Sequence, residues 1–560
     1  MKKLYIIISL CSLYLIAQAQ QMNERVSVRL DKEHYVAGED IWFKFATFNS
    51  ELNLSELSKV GYIEICDTEK PHIQWKVALD KGVGTGRITI PNNISSGVYK
   101  LYAYTQYMRN EGEKIFFQRD IAIINVQDQE KTSKIKILPA EEINWKTTER
   151  VPTISITSDK REYDKRSLVN LSLKMLPEDL VDLSISVYRN DSVADIPDYD
   201  YSNWFEQVKA SKKAPIANKW LPEYEGHIIT GKLTSASGES INDIPDSYQG
   251  TIGFVGNEIH YINGVNEEEE NKTYFITRGI FGPQEIVSTA ITAKEDDGYR
   301  MDIVSPFEEM KPKTMPTLTL APPNSQLMDR YVASQLPKVY NIDSLAHKRE
   351  LDKYLPHYSF RRYKLDEYTR FNTVGETLIE YVMGLRVRKV NNTKRLEVFS
   401  EDMGGFNYGN TLVLLDGVPL YDHDYILNYN PLNIETLDIY QGRYLFASEM
   451  YDGIVFMNTY RGNLPGIQLK GNMQLIEYHC PEYMEFFPSP NYSDAKTKES
   501  LIPDFRHTLY WNPFFEGTNG ATSIPVSFYT SDFSGVFIIV VEGITKSGKI
   551  VYAKNYFRVR

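Results

Sequence analysis

Asn410-Thr-Leu-Val-Leu-Leu-Asp416-Gly417-Val-Pro419-Leu420 reads as a strand, a tight turn and a second strand. The apolar run Leu412 to Leu415, with β-branched Thr411 and Val413, suits a buried strand. The Asp-Gly that follows supplies the residue best able to take positive φ in a two-residue turn. Working outward, Ile434-Glu-Thr-Leu-Asp-Ile439 mixes apolar and polar positions as a half-buried strand does, and Tyr440-Gln-Gly442 breaks it. Gly453-Ile-Val-Phe-Met-Asn458 is the last strand of the block. Upstream, Thr373 stands three residues before Glu376, the spacing of a reciprocal cap at a helix start. Leu378, Tyr381, Val382 and Leu385 then recur at helical spacing, with Gly384 free to close the helix in the left-handed conformation.

The helix "GETLIEYVMGLRVR", the strand-turn "NTLVLLDGVPL", then "NPLNIETLDIYQGR" and "YDGIVFMNTYRG" together resemble the plug domain of TonB-dependent outer-membrane receptors. The resemblance covers roughly residues 371 to 461, and it makes Gly384, Asp416, Gly417, Pro419, Gly442 and Gly453 the structural positions of the motif. In that family the plug fills a barrel of roughly 22 strands of about 9 to 11 residues each. Residues 462 to 560 are too few for it, so the module is expected to act without a barrel from the same polypeptide.

Met1 to Ala19 combines Lys2-Lys3, an apolar core from Leu4 to Ile16 and Ala17-Gln18-Ala19, the pattern of a secretory signal peptide. Its removal takes two lysines and no acid, moving the formal charge from −12 to −14. That balance argues against nucleic acid or an anionic lipid surface as the partner. Cys66 and Cys480 remain after cleavage, in segments assigned to different domains, and are expected as free buried thiols. Nothing after the leader is apolar enough to cross a membrane as a helix. With 39 tyrosines and 26 prolines the composition suits many short strands and turns.

The expected fold class is mainly β: tandem Ig-like or macroglobulin-like β-sandwiches with a small α+β plug-like domain. From Arg25 to Val126 short strands alternate with turn signals, and residues 20–130 form a first sandwich. "DKEHYVAGEDIWFKF" followed by "ISSGVYKLYAYT" resembles the macroglobulin-type (MG2) sandwich of the alpha-2-macroglobulin family. That family's thioester motif is missing, because Pro-Glu-Tyr follows Cys480. Residues 150–224 read as a second sandwich with a polar, aromatic insertion, and 225–310 resemble a carboxypeptidase-regulatory-like sandwich opening at Glu225-Gly-His-Ile-Ile-Thr-Gly231. A helical linker is expected over 316–363, with helices at Ser325 to Leu336 and Ser344 to Tyr354. The plug-like domain then occupies 364–461 and a terminal sandwich 462–560. This domain order resembles a group of Bacteroidota envelope proteins that join macroglobulin-like and plug domains without a barrel.

Chemistry is sparse. Gly82-Val-Gly84-Thr-Gly86 is followed by a strand where a phosphate loop needs a helix, so a hairpin turn is expected. Asp198-Tyr-Asp200-Tyr-Ser202 begins like a calcium loop, but Lys209 stands where the bidentate glutamate belongs. Tyr421-Asp422-His423-Asp424 reads as a solvated turn before a metal site, and Glu267 to Glu270 as a hairpin tip. Ser133-x-x-Lys136 lacks the partner motifs of a serine hydrolase. Asp191-Ser192-Val193 and Asp343-Ser344-Leu345 resemble short O-glycosylation sites. The reading is therefore a non-enzymatic, exported protein with no cofactor and no metal. Its partner would be an envelope or outer-membrane protein, in the periplasm or at the outer membrane. The alternative is a surface glycan- or small-ligand-binding protein associated with TonB-dependent uptake, using Tyr201, Trp204 and Trp220 with Tyr199 and Tyr224 as stacking aromatics, although these side chains equally suit packing.

Overall fold

The computed structural model describes residues 23–128, 135–139, 143, 152–174, 177–191, 193–195, 199, 201–210, 219–239, 241, 245, 247–267, 271–292, 298–322, 325–340, 347–348, 360–390, 393–400, 404–406, 410–446, 449–513 and 523–560. Outside them lie the leader, Ser133, Ser192, Asp198, Asp200, Glu268 to Glu270 and Asp343 to Leu345. The chain divides into two compact units: Met1–Glu225 with Phe307–Glu350 and Pro481–Arg560, and Gly226–Pro306 with Leu351–Cys480. Strands dominate both, and no helix among the described residues is long and apolar enough to cross a membrane.

In the first unit the strands expected between Arg25 and Val126 form two sheets. One orders Arg25–Leu30, Asp40–Phe48 and Val83–Thr89; the other orders His34–Val36, Phe117–Ile124, Gly97–Tyr104, Val60–Cys66 and Pro71–Ala78. Alternation directs Phe43, Phe45, Ile63 and Ile121 into the core between the sheets, while Tyr62 and Tyr104 pack on the other face of their sheet, and all six are 0% exposed. The glycine cluster is the expected turn: Lys81 and Gly82 have φ of 49° and 77°, and Val83–Thr89 runs on as a strand.

The second sandwich of this unit departs from the sequence reading. Ser155–Ser158, Leu168–Lys174 and Ser523–Tyr529 form one sheet, and Glu162–Tyr163, Ile550–Val559, Gly535–Thr545, Leu180–Arg189 and Thr508–Asn512 form the other. The two sandwiches expected at 150–224 and 462–560 are thus a single one, with Leu171, Leu183, Phe528 and Phe537 in one core. Alternation reveals which face of a strand is apolar and is silent on which distant strand will cover it. In the linker Ser325–Tyr340 is the expected helix. The second linker helix is not formed at His347–Lys348, which are extended and pair with Glu485–Phe486.

The second unit contains a sandwich and a mixed-sheet module. The sandwich orders Val265–Glu267, Lys272–Ile276, Ile228–Ser235 and Tyr299–Ile303 in one sheet, and Tyr261–Asn263, Tyr248–Phe254, Pro283–Thr292 and Met473–His479 in the other. Met473–His479, expected in the terminal sandwich, instead extends this one along Pro283–Thr292. The module's central sheet orders Phe360–Lys364, Ile434–Tyr440, Ile454–Thr459, Leu412–Leu415 and Val418–Pro419. Leu412–Leu415 lies parallel to Ile454–Thr459, while Ile434–Tyr440 is antiparallel to it. The helix Val374–Tyr381 buries Val374 and Leu378 against this sheet's core. Thr373 caps it by accepting from the Glu376 amide at 3.2 Å, and the Glu376 carboxylate reaches back to the Asn372 amide.

Candidate functional site

The Asp416-Gly417 turn is a buried hub of the module. Both residues have positive φ, 45° and 80°, which is the two-residue turn whose twist matches the flanking strands. A Cβ on Gly417 would stand 2.3 Å from the Phe254 carbonyl oxygen, so the close backbone approach excludes any side chain. Asp416 is 0% exposed. Its carboxylate accepts from the Thr459 amide and hydroxyl at 2.7 Å each and from the Leu464 amide at 2.8 Å. One buried side chain therefore ties the turn to the end of the central strand and to the segment beyond it.

The other expected motif positions surround this hub. Pro419 lies opposite Leu414 in the short antiparallel pair. Gly453 sits where a Cβ would approach Val398 Cβ to 2.5 Å, and its carbonyl accepts from the Leu412 amide. Gly384 follows the helix with φ 89° and its carbonyl accepts from the Phe399 amide. Gly442 has φ 120° in the bend after Ile434–Tyr440. These six residues hold the module's backbone, and none of them presents a reactive group.

The module's surface was not legible in the same way. Tyr444–Phe446 and Glu449–Tyr451 form a two-stranded ribbon with no third strand among the described residues. Tyr444 faces Tyr451 across it, and Leu445 faces Met450. The tyrosine pair turns inward, with Tyr451 1% exposed and its hydroxyl bonded to Glu449 and Tyr261. Leu445 and Met450 point outward, 66% and 56% exposed. A second hairpin, Leu385–Val390 with Thr393–Ser400, puts Arg388 opposite Arg395 and Lys389 opposite Lys394. Glu397 pairs with Arg386 and Arg388 on the ladder, and Asp424 accepts from the Lys394 amide. Like charges directly opposite are unfavourable, so the hairpin carries a local positive field in an acidic chain. The clustering Arg386-Val-Arg388-Lys389 and Lys394-Arg395 was the available sequence signal.

The aromatic insertion packs inward. Tyr201 and Trp204 are 1% and 2% exposed within the first unit's core. Trp204 donates its indole N–H to the Val26 carbonyl at 2.6 Å and meets Phe48 edge-on. Trp220 is half-buried, with the Arg109 guanidinium 3.5 Å from its ring centroid. Burial removes Tyr201 and Trp204 as stacking surfaces for a glycan, and only Tyr224 of this group is well exposed.

Titratable groups gather at several buried places in the first unit, among them Arg29 with Asp182 and Lys44, and a cluster around Arg330. Arg330, on the helix Ser325–Tyr340 and 1% exposed, donates to Glu39 Oε1 at 2.6 Å and Oε2 at 2.8 Å, to Asp191 Oδ2 at 2.6 Å and to the His34 carbonyl at 2.7 Å. His34 Nε2 lies 2.7 Å from Asp191 Oδ1. Burial alone would raise Glu39, but the Arg330 and Lys32 charges and the Arg330 hydrogen bonds together outweigh it and hold the carboxyl at about 2. His507, 3.4 Å from Asp191, is kept neutral by burial and by Arg330, which bring it down to about 4. Every oxygen of Glu39 and Asp191 is engaged, so the cluster clamps the helix Ser325–Tyr340 to the strands beside it. Among the described residues no group of His, Cys, Asp and Glu could hold a metal ion. Cys66 and Cys480 are buried and are not joined in a disulfide.

The Asp422-His423-Asp424 run is a helix start rather than a solvated turn. Asp422 caps His423–Leu427 by accepting from the Asp424 amide, and its carboxylate pairs with Lys470. His423 Nδ1 accepts from the Leu396 amide at 3.0 Å, and burial with the nearby Arg395 charge brings the imidazole down to about 4.

No protein-family model and no curated protein matches the chain. Among solved structures it is similar to the native conformation of alpha-2-macroglobulin from Escherichia coli, at 8% identity and TM-score 0.22, over 97% of this chain and 40% of that one. It is similar to Salmonella alpha-2-macroglobulin reacted with methylamine at 9% identity and TM-score 0.22, over 96% and 39%. The Escherichia coli adhesin FdeC is matched at 9% identity and TM-score 0.15, over 53% and 64%. The chain thus spans less than half the length of these macroglobulins.

Proposed function

We propose that this chain is a non-enzymatic, exported cell-envelope protein that makes protein–protein contacts at or near the outer membrane. The β-sandwiches serve as scaffold and the plug-like module as the contact surface. The observation that carries the reading is the ribbon Tyr444–Phe446 with Glu449–Tyr451, whose outward face is the apolar pair Leu445 and Met450. A two-stranded ribbon is marginal in water by itself, and an opposed Leu-Met pair on it gains most from an apolar socket on a partner. The basic hairpin Leu385–Val390 with Thr393–Ser400 adds a preference for a partner bearing acidic groups. Export is supported by the leader pattern of Met1 to Ala19, and the envelope setting by the plug and macroglobulin resemblances of the sequence.

The test is crosslinking of the full chain in its native cells, followed by capture and identification of bound proteins. The reading expects an envelope protein that is recovered with the native chain and lost with Leu445→Glu/Met450→Glu. Recovery of the same proteins by both chains, or of no envelope protein, would sink it.

A further inference from the structure

Gly86 lies inside the strand Val83–Thr89, directly opposite Phe43 on Asp40–Phe48. The pairing runs through it without a bulge, and its backbone is outside the positive-φ region. Neither turn nor twist calls for glycine there. A Cβ at Gly86 would have only the Phe43 ring within 4 Å, at 3.5 and 3.6 Å, which is ordinary van der Waals contact. A glycine inside a strand weakens it, and where no bulge or bend explains it the position marks a close approach by something else.

The space beside Gly86 belongs to a cleft of about 160 Å³ where the edge strands of the first sandwich, Pro71–Ala78 and Val83–Thr89, come together. Buried Phe43 and Val77 form its floor, and half-buried Trp75 forms one wall. Another wall is the segment from Glu482 to Glu485, fastened to the first edge strand: the Ala78 amide donates to the Glu482 carbonyl at 2.8 Å and the Glu482 amide to the Lys76 carbonyl at 2.9 Å. Arg87 completes the polar side, with Nε donating to Glu485 at 3.2 Å and Nη1 to Asp40 at 3.2 Å. The lining selects its ligand. Its acids outnumber its one arginine, which disfavours an anion, while the Arg87 charge repels the cation that Trp75 and the acids would attract. A carboxylate has about four acceptor positions and a guanidinium five donors, so groups already bonded to one another still serve hydroxyls. The volume is below the roughly 300 to 1,000 Å³ of drug-sized sites and leaves room for a single ring. An aromatic wall beside fixed carboxylates and a guanidinium matches a ring with an apolar C–H face and a rim of hydroxyls.

We propose that this cleft binds one neutral sugar ring, with Trp75 against its C–H face and Arg87, Glu482 and Glu485 bonding its hydroxyls. The experiment is saturation-transfer NMR of the full chain with the methyl glycosides of glucose, galactose, mannose and N-acetylglucosamine, and with tetramethylammonium chloride. Saturable transfer to at least one glycoside and none to the ammonium ion is expected. Gly86→Val puts a side chain into the cleft and should weaken glycoside binding by about tenfold or more without lowering the urea midpoint, since a β-branched residue replaces glycine in a strand. Glu482→Gln should weaken it about threefold through the loss of a charge-assisted hydrogen bond. Should Gly86→Val fail to fold, Glu482→Gln decides alone. The proposal is overturned if no glycoside binds saturably, if the ammonium ion does, or if the folded variants bind glycoside as the native chain does.

Discussion

The hairpin Leu412–Leu415 with Val418–Pro419 and the ribbon Tyr444–Phe446 with Glu449–Tyr451 belong to one module and obey the same pairing rules, yet they meet water differently. In the first, the turn residue itself is buried, and its carboxylate satisfies three donors from two other segments. In the second, the inward tyrosines are hydrogen-bonded and an apolar pair is left outside. The first hairpin holds the module together; the second is tied in by its tyrosines and leaves Leu445 and Met450 exposed. Conformational determinants and the proposed contact surface are thus separated within about forty residues.

That separation can be broken by substitution. Asp416→Ala leaves the Thr459 hydroxyl and two amides buried without an acceptor, and a loss of about 4 kcal/mol in urea unfolding is expected. A loss under about 1 kcal/mol would mean that the hub is not structural. Gly453→Ala places a methyl against Val398 and should cost about 3 kcal/mol by the same measurement, with a compensating Val398→Ala recovering part of it.

Acid acts on the buried side as well. His423 must be unprotonated at Nδ1 to accept from Leu396, and its folded pKa, about 4, lies below its ordinary value. The unfolded chain therefore takes up the proton first. Stability is fully present above about pH 6.5 and falls as the pH drops from there toward 4, by about 2 to 3 kcal/mol in all. His423→Asn, which keeps an acceptor and cannot titrate, should flatten that part of the profile; an unchanged slope would remove His423 from the account. The smallest effect is reserved for the exposed ribbon: Leu445→Glu/Met450→Glu should move stability by less than about 0.5 kcal/mol.

Local chemistry made much of this readable from the chain. The Asp416-Gly417 turn, the Thr373 cap and the strands from Arg25 to Val126 each follow from residues within a few positions. Partnerships between distant segments do not. Nothing near Ser523 announces that it lies opposite Lys174, or near Met473 that it faces Thr289. The outward turn of Leu445 was hidden for another reason. Both faces of its ribbon are apolar enough for a core, and the tyrosines occupy the inside because their hydroxyls find partners there. Tyr201 and Trp204 show the converse: a polar neighbourhood in sequence surrounds side chains that the fold buries.

The most direct measurement is the capture of crosslinked partners from native cells by the chain carrying Leu445→Glu/Met450→Glu, beside the native chain, with the folding of both checked by urea unfolding. The account predicts equal stability and an envelope partner recovered by the native chain alone. Equal recovery by two equally stable chains would contradict it, and would leave the ribbon's apolar face without a role in contact.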